Sequence, residues 1–89
     1  MSEQARIEDC RADVLVALHA RRTGAHEAAT VRTVFLRNRD YTLGEVDAAL
    51  EDLERFHYVE SAFESAISTI KVWRITGAGI IFKERGFKS

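Results

Sequence analysis

The sequence predicts an α+β fold: a bundle of three helices, then a two-stranded β-hairpin and a short C-terminal helix. Three observations carry this. Apolar residues recur at steps of three and four as far as Phe56, the period of amphipathic helices. Beyond His57 the pattern changes to short runs rich in β-branched and aromatic residues, as in paired strands. Thr42 followed by Glu45 forms a capping box just ahead of the strongest periodic run. The 89 residues fit a single domain, 1–89, with frayed ends expected. There is no proline, no Pro/Gly/Ser-rich linker and no internal repeat to divide it.

The first helix is expected from about Glu3 to Arg22, with Ile7, Cys10, Val14, Leu15 and Leu18 turned inward. Its acids come early (Glu3, Glu8, Asp9) and Arg21 and Arg22 come last, the order the helix dipole favours. Gly24 supplies a stop. His26 to Arg39 reads as a second helix that begins near Ala25 to Ala28, or later if Thr30 is its cap, with Ala28, Val31, Val34 and Phe35 as its inner stripe, ended by the turn-favouring Asn38-Arg39-Asp40. The third helix runs from Leu43 to Phe56 and sets Leu43, Val46, Ala49, Leu50, Leu53 and Phe56 on one face. Tyr58 to Ser61 and Ile70 to Ile75 read as the hairpin, with Val59, Ile75 and Trp73 packing on the helices. The connection from Ala62 to Thr69 lacks Gly, Asn and Pro, so its turn type is not readable. Thr76 can cap a terminal helix that passes through Ile80, Ile81 and Phe82 and closes at Gly86.

Composition excludes several classes of function. With 46% hydrophobic and 30% charged residues the chain has the make-up of a soluble globular protein. No stretch approaches the roughly 18 apolar residues of a membrane span, and residues 1–11 hold no apolar run that could serve as a signal peptide. A cytosolic (cytoplasmic) location is therefore expected. The single cysteine, Cys10, forms no internal disulfide and reads as a small apolar residue on a buried face. Cys10, His19 and His26 match no metal-ligand spacing, so no metal is expected. His57 falls at the end of the third helix. Gly77-Ala78-Gly79 is too short for a phosphate loop. No Ser/His/Asp or Cys/His arrangement stands in supporting context, so neither an enzyme nor a cofactor is expected.

The order helix, helix, helix, strand, strand, short helix resembles the winged helix-turn-helix superfamily. Two local segments add to the likeness. Leu53-Glu54-Arg55-Phe56-His57-Tyr58-Val59 is similar to the step by which many members pass from the third helix into the hairpin, or wing. Trp73-Arg74-Ile75-Thr76, with Gly77 and Gly79, is similar to the way they leave it. The resemblance covers about Ile7 to Lys83. It implies duplex DNA as the partner, with the third helix in the major groove and the wing on the backbone or minor groove.

The charge map departs from that pattern. Residues 1–42 carry seven bases against six acids, residues 43–65 one base against seven acids, and residues 66–89 five bases against one acid. The outward side of the third helix holds Glu45, Asp47, Glu51, Asp52 and Glu54 beside the single base Arg55. Such a face repels phosphates. Two partner readings therefore stand side by side. In the first, a small transcription regulator holds DNA through helix two and the wing, with Arg32, Arg37, Arg39, Arg55, Lys71 and Arg74 as contacts. In the second, a protein-protein interaction module docks a basic partner on Glu45, Asp47, Glu51 and Asp52, with Phe63 exposed near the wing tip as a further contact. Val16 and Ala20, off the main stripe of the first helix, offer a seam for a homodimer, which the resemblance also implies.

Overall fold

The computed structural model describes residues 3–85. Gly86 and Lys88 lie outside them. Helix α1 spans Glu3–Ala20 and a short strand β1 spans His26–Glu27. Helix two begins as α2, Ala28–Thr30, and continues as a π-helical segment, Val31–Phe35. Helix α3 is Leu43–Arg55, the wing strands are β2, Val59–Phe63, and β3, Lys71–Ile75, and α4 is Gly77–Glu84. The strands form one antiparallel sheet in the order β1-β3-β2.

The inner stripes pack as the periodicity requires. Cys10, Val14, Leu15, Leu18, Val31, Val46, Ala49, Leu50, Leu53, Val59, Trp73 and Ile75 share one buried core. Leu15, Leu18 and Leu50 are wholly enclosed, and burying such a side chain contributes about 1.5–3 kcal/mol. The α3 cap forms as expected. Thr42 Oγ1 accepts from the Glu45 amide at 3.1 Å, and the Thr42 amide donates to Glu45 Oε1 at 2.9 Å. Thr76 caps α4, accepting from the Gly79 amide at 3.0 Å, and its own hydroxyl donates to the His57 carbonyl at 2.7 Å. One approach constrains α4 tightly: a Cβ built on Gly79 would lie 2.1 Å from the Tyr58 carbonyl oxygen.

Four expectations are corrected. First, the wing's sheet is three-stranded: helix two starts at Ala28, within the expected range, and His26 and Glu27 pair with Trp73 and Val72 as a third strand. A strand of two residues is too short to show a period in sequence. Second, helix two ends at Phe35, and its second half is π-helical, with the Leu36 amide donating to the Val31 carbonyl at 2.9 Å. The widened turn shifts the faces, so Val34 leaves the inner stripe and is 53% exposed. Third, Leu43 and Phe56, at the two ends of the α3 stripe, extend past the bundle. Phe56 is 55% exposed, and the burial expected of it is supplied by Tyr58 stacking on Phe82 at 4.4 Å. Fourth, Ile7 near the start of α1 is only partly covered, because it faces a groove against α3 lined there by the small residues Gly44 and Ala48. Lesser shifts affect the ends: α1 stops at Ala20, β2 runs on to Phe63 and β3 begins at Lys71.

Candidate functional site

Helix two, α3 and the wing enclose a groove of about 330 Å³. Glu27, Ala28 and Ala29 line it from the start of helix two, Leu43, Asp47 and Glu51 from α3, and Ile70, Lys71 and Trp73 from the wing. Asp47 and Glu51 stand one turn apart on the exposed side of α3. Among the described residues, the carboxylates of Glu27, Asp47 and Glu51 make no ion pair or hydrogen bond.

The other acids of α3 are engaged, which corrects the reading of a continuous acidic face. Glu45 is half-buried and receives Arg6 Nε at 2.5 Å and Nη2 at 3.0 Å besides capping α3. Those bonds, Arg6 first and then the Thr42 amide, hold its carboxyl down at about 2. Asp52 accepts Arg11 Nη2 at 2.6 Å and also pairs with Arg55, leaving its side chain 14% exposed. Glu54 accepts the Ser61 hydroxyl at 2.7 Å. Arg6 and Arg11 lie in the first helix, so nothing local in α3 announces these partners. Glu45 and Asp52 are therefore integral to the α1–α3 contact, and Asp47 and Glu51 are the acids left facing outward.

The six basic candidates do not form one strip. Lys71 and Arg74 occupy opposite faces of β3. Lys71 shares the inner face with Trp73 and Ile75, its Nζ 5.2 Å from the Trp73 ring centre, and Arg74 shares the outer face with Glu60, its Nε 2.5 Å from Glu60 Oε1. The period of two makes this unavoidable at a spacing of three. Arg37 is exposed and makes no side-chain ion pair among the described residues. Arg39 lies 3.5 Å from Asp13, and Arg55 is drawn to Asp52. Arg32 is half-buried, with an enclosed Nε that has no hydrogen-bond partner among the described residues. Lys83 and Arg85 lie on and after α4.

The wing tip is apolar. Phe63 is 60% exposed, as expected, and Ile67 and Ile70, for which the sequence suggested no exposed role, are 96% and 42% exposed. Their signal was their place in a connection between strands, where apolar residues have no core to enter. Glu27 and Leu43 were missed for related reasons, one assigned to a helix that is a strand and the other to a buried stripe it overhangs.

Cys10, His19 and His26 have separate partners. Cys10 is buried, which pushes its thiol up to about 11, and its Sγ lies 3.6 Å from the Glu45 carbonyl. His19 Nε2 is 3.2 Å from Glu84, and His26 Nε2 is 3.1 Å from the Arg21 carbonyl. Among the described residues no group of three or more His, Cys, Asp and Glu is placed to hold a metal ion, and no helix is long and apolar enough to cross a membrane.

Three helices, a hairpin on their flank, a short strand completing its sheet and the closing helix α4 make up a winged-helix fold. The chain is similar to the crystal structure of a mutant of MepR from a multidrug resistant S. aureus clinical isolate, with a TM-score of 0.72 at 20% identity. The likeness covers 91% of this chain and 55% of that one, so the chain spans about half the length of the solved protein. At that identity the likeness is one of fold. No family model and no curated protein matches the sequence.

Proposed function

We propose that the protein is a winged-helix transcription regulator that holds duplex DNA by its backbone through the wing, with α3 kept out of the major groove. The observation that carries this is that both cations of the wing strand β3, Lys71 and Arg74, are exposed. The wing's inner face packs on the helices through Val59, Trp73 and Ile75, so Arg74 on the outer face and Lys71, paired with Phe63 at the far end of the hairpin, are the cations it offers to phosphates. Arg74 must leave Glu60 to do so, and an exposed pair of that kind is worth only about 0–1 kcal/mol. Arg37, exposed without an ion-pair partner among the described residues, and Arg39, in a long pair with Asp13, are further phosphate contacts at the end of helix two. Arg32, half enclosed, and Arg55, held by Asp52, contribute least. Asp47 and Glu51 keep α3 away from phosphates. Binding of this kind reads sequence weakly, because phosphate contacts position and base contacts specify.

The test is fluorescence anisotropy of a random-sequence duplex over a range of salt concentrations. The wild-type chain binds at low salt, and Lys71→Ala and Arg74→Ala each reduce the slope of log affinity on log salt by about one. Failure to bind the duplex at low salt would overturn the reading.

A second reading, docking of a protein partner, is favoured by one specific observation: the groove beside α3 is apolar at its floor and lined by three carboxylates with no partner among the described residues. It shares Lys71 with the first, while Arg74 and Arg37 are not among the residues lining the groove. Exposed Val16 and Ala20 on α1 support pairing of two copies.

A further inference from the structure

We propose that the groove between helix two, α3 and the wing docks a basic polypeptide segment that seats one apolar side chain against Leu43 and Ile70. This rests on the protein-docking reading and shares Lys71, but not Arg74 or Arg37, with the DNA contacts proposed above. The occupant follows from the lining. Leu43 and Ile70 are each 42% exposed, and they flank the groove whose inner wall is the buried Trp73. An apolar side chain placed there covers surface that water otherwise contacts. Glu27 borders the groove from the helix-two side, and Asp47 and Glu51 from the α3 side. Of the five carboxylates of α3, these last two alone have no partner among the described residues, since Glu45, Asp52 and Glu54 are bonded to Arg6, Arg11 and Ser61. Lys71, the one cation in the lining, sits over the Trp73 ring. An acidic peptide is repelled from this rim. Lysine or arginine on either side of the seated residue can lay its methylenes along the floor and bring its charge to the carboxylates.

The experiment uses the whole chain and a labelled lysine-rich peptide with one central leucine. The wild-type chain binds the peptide, and D47N/E51Q weakens binding by about tenfold or more. E3Q/D9N removes the same charge elsewhere and leaves affinity within about twofold. A peptide with serine in place of the leucine binds more weakly than its parent, and Leu43→Ser reproduces that loss from the other side. Thermal melts monitored by circular dichroism confirm that each variant is folded. Equal weakening by E3Q/D9N, or indifference to the leucine, would reduce the effect to net charge and overturn the proposal. So would a homodimer that D47N/E51Q dissociates, which would assign the groove to a second copy. Arg74→Ala separates the two functions: it impairs DNA retention and leaves the peptide bound. A chain that binds peptide and ignores duplex sinks only the DNA reading, and the reverse sinks only the docking site.

Discussion

Glu45 shows how one side chain joins local and long-range structure. Its backbone and carboxylate complete the α3 cap, and the same carboxylate anchors Arg6, 39 positions away in sequence. The cap was legible because Thr42 and Glu45 are three residues apart. The Arg6 bond was not, because no local rule couples the start of α1 to the start of α3. The carboxyl is held at about 2 against an ordinary 4.5. A depressed pKa contributes stability that is present above the ordinary value and lost as pH falls through the folded one. Glu45→Gln should therefore flatten the loss of stability between 4.5 and about 2, read as the urea midpoint at each pH. An unchanged acid limb would show that Glu45 is not the group responsible. Gly79 makes a second residue-scale case. The sequence marked it as a strand exit, yet its role is to let α4 approach the Tyr58 carbonyl. Gly79→Ala should cost about 1–3 kcal/mol through overpacking, and a thermal melt equal to wild type would contradict that contact.

At the scale of elements, legibility followed the strength of the pattern. Helix α3 has both a cap and a period, and its bounds agree with expectation to within one residue. Helix two has no side-chain cap: its run Thr30-Val31-Arg32-Thr33-Val34 is largely β-branched, and nothing in its stripe reveals the π-helical turn it adopts. The Thr33 hydroxyl donates to the Ala29 carbonyl at 2.8 Å, a back-bond that accompanies the distorted turn. The junction of α3 and the wing depends on His57, which has a positive φ of 66°. That left-handed conformation is costly for a residue with a Cβ. His57→Gly should raise stability by up to about 1 kcal/mol in chemical unfolding. A loss instead would show that the imidazole makes a compensating contribution. The strands were legible as strands, but their functional content was not. Which face each cation takes depends on register, and register is fixed here by Val59 opposite Ile75.

At the scale of the molecule, the charge map proved right in sum and coarse in detail. The excess of acid in residues 43–65 is real, but Glu45, Asp52 and Glu54 of the third helix hold the fold together through Arg6, Arg11 and Ser61. Formal charge cannot separate a clamp from a recognition surface, because the difference lies in partners distant along the chain. What remains outward divides into two regions: a wing with one cation on each face, and a groove edged by acids beside it. The central claim is that DNA meets the first and avoids the second. Backbone amide shifts during titration with a random-sequence duplex test it most directly. Perturbations are predicted to concentrate in residues 59–75 and around Arg37, with Leu43 to Glu51 little affected. Perturbations centred on Leu43 to Glu51 would place α3 in the major groove and contradict that claim.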